Sequence, residues 1–187
     1  MRTLFALFFF AAGLYANAAQ PLPGTVFDLD GNPRHPLLPA GKLASVLIFF
    51  WHDCPICNSY IPEINRICAT QTNFDFYVVQ VDPDLTPSAA KNHARDYDVR
   101  PPVLLDPRHH LVKLAKATVT PEAVIFGMDK KVLYRGRIDD LYAALGKKRA
   151  SATEHNLREA LETISAGKRL KKKETKAIGC LIQTTTH

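Results

Sequence analysis

The stretch Val46-Leu47-Ile48-Phe49-Phe50-Trp51-His52-Asp53-Cys54-Pro55-Ile56-Cys57 decides the fold. Its first five residues form an unbroken apolar run with β-branched and aromatic members. That is the pattern of a strand buried on both faces of a sheet. Its last four residues set two cysteines at a strand-to-helix junction. Ile61, Ile64 and Cys68 recur at helical spacing and predict a helix from about Pro55 to Ala69. Cys54 then falls at the N-cap and Pro55 at the first helical position, where a missing N–H had no helical partner to lose. The free N–H groups of Ile56 and Cys57, with the positive end of the helix, favour a thiolate on Cys54. A thiolate attacks a disulfide. Cys57, one turn on, is placed to attack the resulting mixed disulfide and release the product. Cys54 is therefore the expected nucleophile and Cys57 the resolving thiol.

Outward from this junction, turn residues punctuate a run of short elements. Val26 to Leu29 followed by Asp30-Gly31-Asn32 predicts a hairpin with Asp-Gly at its turn. Phe76 to Val81 reads as a second buried strand, ended by Asp82-Pro83-Asp84. Thr86 to Tyr97 reads as a helix with Pro87 early in it. Val103 to Leu105 is short and extended, Asp106-Pro107 turns the chain, and Leu111 to Ala117 is a short helix. Ala123 to Phe126 and Val132 to Arg135 are hairpin strands around Met128 to Lys131. A last helix is predicted from Thr153, its N-cap, to Ser165, with Leu157, Leu161 and Ile164 on its apolar face. Strands alternating with helices and ending in a hairpin define an α/β fold around a mixed sheet.

The chain of 187 residues suits one domain, and 47% apolar with 22% charged residues is a globular composition. The net charge of +6 gathers in Lys147-Lys148-Arg149 and between Lys168 and Lys176. Residues 168–187 are therefore expected to be a solvated basic tail, Thr-rich and disordered at its end, rather than a nucleic-acid surface. At the other end, Arg2, the apolar run Leu4 to Leu14 and Ala16-Asn17-Ala18 predict a cleaved signal peptide over residues 1–18. This leaves residues 19–167 as the domain, in a periplasmic or extracellular space, with no membrane span after cleavage. Export puts the four cysteines where disulfides persist.

The chain resembles the thioredoxin superfamily from about Val26 to Ile138, and within it the exported redoxins. Four features carry the resemblance: the strand leading into Trp51-His52-Asp53-Cys54-Pro55-Ile56-Cys57; Pro62, eight residues after Cys54; Val103-Leu104-Leu105-Asp106-Pro107; and Val119-Thr120-Pro121-Glu122-Ala123 before an apolar strand. The resemblance implies a thioredoxin-like three-layer α/β/α sandwich around a central mixed β-sheet. It implies a monomeric thiol–disulfide oxidoreductase that exchanges a Cys54–Cys57 dithiol/disulfide with protein substrates and a redox partner. No cofactor and no metal are needed, because the cysteine pair is the redox group. It also sets a cis-proline loop at Pro121, where the backbone of Thr120 would face the cysteines and take a substrate chain as an added strand. Trp51, Pro55 and Ile56 flank the same substrate site.

Two positions depart from the family. Ile48 stands where thioredoxin has a buried Asp, and Tyr60 where many exported relatives have a Glu. The proton path then falls to Asp53, His52 or water, and a charged His52 would favour the thiolate by attraction.

Rival readings lack parts. A zinc half-site has no second CxxC or paired histidines to complete it. A thiol peroxidase would carry Pro-x-x-x-Thr/Ser-x-x-Cys, which the residues before Cys54 do not form. A copper metallochaperone of the same fold would bind through Cys54, Cys57 and a histidine. His109 and His110 are expected on a solvated turn. Cys68 lies on the apolar side of the helix and is expected to be inert. Cys180, in Ile178-Gly179-Cys180-Leu181-Ile182, is expected to be structural or idle, with pairing to Cys68 or to a second chain left open.

Overall fold

The computed structural model describes residues 25–39 and 41–183; the expected signal peptide and the Thr-rich end lie outside them. Val26–Asp28 (β1) and Pro33–Arg34 (β2) form the predicted hairpin. Gly31 supplies its positive φ of 81°, and the Asp28 carboxylate accepts the N–H groups of Asp30 and Asn32 at 2.9 Å. There follow Ala44–Phe50 (β3), Pro55–Thr70 (α1), Phe74–Gln80 (β4), Pro87–Asp96 (α2), Val103–Leu105 (β5), His110–Ala115 (α3) and Val119–Thr120 (β6). Then come Glu122–Gly127 (β7), Val132–Gly136 (β8), Tyr142–Ala144 (β9), Lys147–Lys148 (β10), Asn156–Ser165 (α4) and Cys180–Leu181 (β11).

Seven strands form one mixed sheet in the order β2-β1-β5-β4-β3-β7-β8. β3 is an interior strand, parallel to β4 and antiparallel to β7, with all seven residues buried. Its side chains alternate between two cores, as the period of a strand requires. Val46, Ile48 and Phe50 join α1 and α4 through Ile61, Ile64 and Leu161. Leu47 and Phe49 join α3 through Leu111 and Val112. The result is the expected three-layer α/β/α sandwich.

The structure corrects three expectations. α4 begins at Asn156, not Thr153. The N–H and hydroxyl of Thr153 both donate to the Asp140 carboxylate at 2.6 Å, which also accepts the N–H of Glu154. That bracket holds Thr153 in the preceding loop. α3 ends at Ala115, because Lys116 turns left-handed at φ 54°. The third correction concerns residues 168–183, which are not a free tail but a strap laid on the domain. The Arg135 N–H donates to the Lys173 carbonyl at 2.9 Å, and the Thr175 N–H donates to the Arg135 carbonyl at 3.0 Å. Thr175 lies where a Cβ on Gly136 would be, and its hydroxyl bonds the Tyr134 hydroxyl at 2.7 Å. Further on, Ala177 is buried and β11 pairs antiparallel with β6. The strap is basic from Lys168 to Lys176 and apolar around Cys180, and its backbone bonds the outer edge of β8 at Arg135.

Candidate active site

β3 delivers the chain to a three-residue loop, and Cys54 caps α1 with extended backbone at φ −82° and ψ 114°. Its N–H donates to the Trp51 carbonyl at 3.0 Å, and its carbonyl accepts the first helical bond, from Asn58 at 3.1 Å. Pro55 occupies the start of the helix and Pro62 lies inside it, as the spacing predicts. Cys54 is 2% exposed and Cys57 fully buried.

The sulfur pairing differs from the expected Cys54–Cys57 bond. Cys54 is disulfide-bonded to Cys180, with the Cα atoms 6.4 Å apart, and Cys57 is a free thiol. The cause is strand pairing. β11 sets Cys180 opposite Thr120 and Leu181 opposite Val119, which brings Cys180 within disulfide range of the helix N-terminus. Cys180 is thus neither idle nor joined to Cys68, which is free and half-buried, its thiol raised by burial.

Thr120 is the hub of this arrangement. The Thr120–Pro121 bond is cis and Thr120 is fully buried. The Cys54 Sγ lies 3.6 Å from its carbonyl oxygen, and its hydroxyl donates to the Cys180 carbonyl at 3.4 Å. Burial pushes the Cys57 thiol up to about 12, against hydrogen bonds from the Trp51 backbone and Thr120 that act the other way. Cys57 is therefore a protonated thiol near neutrality.

The other predicted residues divide by place. Trp51 is half-buried and touches both cores, Pro55 is exposed beside Cys54, and Ile56 is buried in the core. His52 sits between two carboxylates, 3.3 Å from Asp53 and 3.5 Å from Asp82. Two neighbours escaped the sequence reading. His93 stands edge-on to His52 with centroids 6.0 Å apart and donates from Nε2 to Asn58 Oδ1 at 2.9 Å. Asn58 in turn donates to the His52 carbonyl at 2.9 Å, tying α1 to the loop before Cys54. Burial, then the nearby His52, lower the pKa of His93. α2 carries His93 to this place, and its local sequence holds no sign of that.

An acid also returns to α1 from far along the chain. The Tyr60 hydroxyl donates to Asp139 Oδ1 at 2.6 Å, both residues being buried. A carboxylate thus lies under the helix face one turn beyond Cys57, where the sequence had shown only a tyrosine. For metal, the residues are less apt. His109 is buried rather than on a solvated turn, and its Nε2 donates to the Val81 carbonyl at 2.7 Å. Glu63, Asp139 and His155 cluster closely enough to hold an ion, but no cysteine joins them and Glu63 is paired with Arg66 and Arg158.

A CxxC at the N-terminus of α1, set beside a cis-proline loop on a mixed sheet, defines a thioredoxin-like redoxin domain. The solved structures that resemble it agree on the fold. An uncharacterized conserved protein from Geobacillus kaustophilus superposes with a TM-score of 0.74 at 24% identity, covering 85% of this chain and 87% of that one. A secreted disulfide oxidoreductase of Mycobacterium tuberculosis superposes with a TM-score of 0.54 at 18% identity, covering 74% and 94%. The chain belongs to the AhpC/TSA family, which matches residues 38–135.

Among curated relatives, a thiol-disulfide oxidoreductase ResA of Bacillus thuringiensis is 27% identical over 109 residues, 58% of this chain and 62% of that protein. A thiol:disulfide interchange protein DsbA of Burkholderia cepacia is 40% identical over 73 residues, 38% of this chain and 34% of that protein. The chain thus spans between a third and two thirds of the length of these relatives. The family match ends before the strap begins.

Proposed function

We propose that the chain is an exported thiol–disulfide oxidoreductase that exchanges disulfides with other proteins through Cys54, with Cys57 as the resolving thiol. One observation carries the reading: Cys54 is bonded to a cysteine on a strand paired with Thr120, while the free thiol of Cys57 waits one turn behind. This is the arrangement of a mixed disulfide between an enzyme and a docked peptide. In the reaction the Cys54 thiolate attacks a substrate disulfide, forming one S–S bond and expelling one substrate thiolate. Cys57 then attacks Cys54 and expels the second substrate thiolate, leaving Cys54–Cys57 oxidised and the substrate reduced. The reverse sequence oxidises a substrate. The buried Tyr60–Asp139 pair, one turn beyond Cys57 on α1, is the candidate proton relay for that thiol. Export rests on the signal-peptide pattern of residues 1–18.

The test is turnover of a disulfide protein such as insulin, with a dithiol donor and no metal. The protein accelerates the reaction and Cys54→Ala abolishes it; retained turnover in that variant refutes the assignment. Copper held at sub-micromolar affinity through the cysteines, without turnover, would decide for a metallochaperone. Faster consumption of hydrogen peroxide than of disulfide would decide for a thiol peroxidase.

A further inference from the structure

We propose that residues 177–182 are a tethered substrate: an internal peptide that occupies the slot for an external cysteine-bearing strand and leaves it when the disulfide passes from Cys54–Cys180 to Cys54–Cys57. This rests on Cys54 being the nucleophile, and it adds a third redox cysteine and a sequence preference to that reading.

β6 pairs with no strand of the main sheet; its partner is β11. The pairing is antiparallel and continues past the strand, with the Ile182 N–H donating to the Thr118 carbonyl at 3.0 Å. This is strand addition onto the loop beside the nucleophile, performed by the chain on itself. The side chains alternate accordingly. Cys180 turns in to Cys54, while Leu181 is 71% exposed and reads nothing.

A Cβ on Gly179 would collide with the carbonyl of Thr120. The slot therefore takes glycine at the position before the cysteine, because the obstacle is backbone and cannot rotate away. An external peptide that binds in this register is an extended chain carrying Gly-Cys.

The chemistry closes without any outside reagent. The Cys57 sulfur, as thiolate, attacks the Cys54 sulfur. The Cys54–Cys57 bond forms, the Cys54–Cys180 bond breaks, and Cys180 leaves as a thiolate that takes up a proton. One disulfide is lost and one gained, so nothing is oxidised or reduced overall. Upstream, the strap stays held at Arg135 and Thr175. Its end can lift while the body of the domain stays folded.

Three full-length proteins test this: wild type, Cys180→Ser and Gly179→Val. Each is oxidised and challenged with two thiol peptides that differ only in Gly-Cys against Val-Cys. A tethered competitor acts at roughly millimolar effective concentration, so 0.1 mM Gly-Cys peptide should react with Cys180→Ser about tenfold faster than with wild type. Val-Cys peptide should react slowly with both. Peptide mapping after acid quench and alkylation should find Cys54–Cys180 in the wild type and a shift to Cys54–Cys57 in Gly179→Val. Equal rates for the two peptides on Cys180→Ser, or an unshifted pairing in Gly179→Val, overturns the inference and leaves the oxidoreductase reading intact. Failure of the wild type to turn over insulin as well overturns both.

Discussion

At the scale of the residue, Cys57, the proposed resolving thiol, would set the tempo. Its thiol is raised to about 12 by burial, so the reactive thiolate is scarce at neutral pH. The passage of the disulfide from Cys54–Cys180 to Cys54–Cys57 should quicken about tenfold for each pH unit until the pH nears the pKa of Cys57. Acid quenching at timed intervals, with mapping of the bonded pair, measures it; a flat profile between pH 7 and 10 would exclude Cys57 as the attacking group. The same shift bears on stability. A folded pKa above the unfolded value means that folding is favoured fully below about pH 9 and loses that contribution as pH rises toward 12.

At the scale of the element, buried carboxylates fix where helices begin. Asp106 accepts the N–H groups of His110 at 2.7 Å, Leu111 at 2.9 Å and Val112 at 3.0 Å, so it caps α3 from outside the helix. Asp106→Ala should cost about 2 kcal/mol, the penalty of leaving buried donors unmatched, and lower the urea midpoint accordingly. An unchanged midpoint would show that water replaces the carboxylate. The sequence showed Asp106-Pro107 only as a turn, because the bonds of an aspartate to amides beyond its own turn leave no periodic trace. What was legible was local. The apolar runs of β3, β4 and β7 announced a buried sheet, and Cys54-Pro55 announced the start of α1. What was not legible depends on distant backbone. Thr153 looked like a cap until the Asp140 carboxylate claimed it, and the basic run Lys168 to Lys176 hid a main chain that bonds Arg135 and goes on to pair with Thr120. Cys180 lies 126 residues from Cys54, a separation over which no spacing rule acts.

At the scale of the whole molecule, that separation has thermodynamic weight. The Cys54–Cys180 bond closes most of the domain into a loop and restricts the unfolded chain. Reduction should lower unfolding stability by about 2–4 kcal/mol, seen as a lower melting temperature in dithiothreitol; in dithiothreitol Cys180→Ser should melt like the reduced wild type. Equal melting of oxidised and reduced wild type would show that the strap is held by packing alone. The strap also closes one side of the molecule. β8 is the last strand of the sheet, and Lys173 to Thr175 run along its outer rim. With the Cys54–Cys180 bond reduced, a protease that clipped the chain after Gly167 would free the strap and bare the amide and carbonyl of Arg135 on that rim. An uncovered rim invites neighbouring molecules to pair there, so the segment bonded to Cys54 also shields an edge against aggregation.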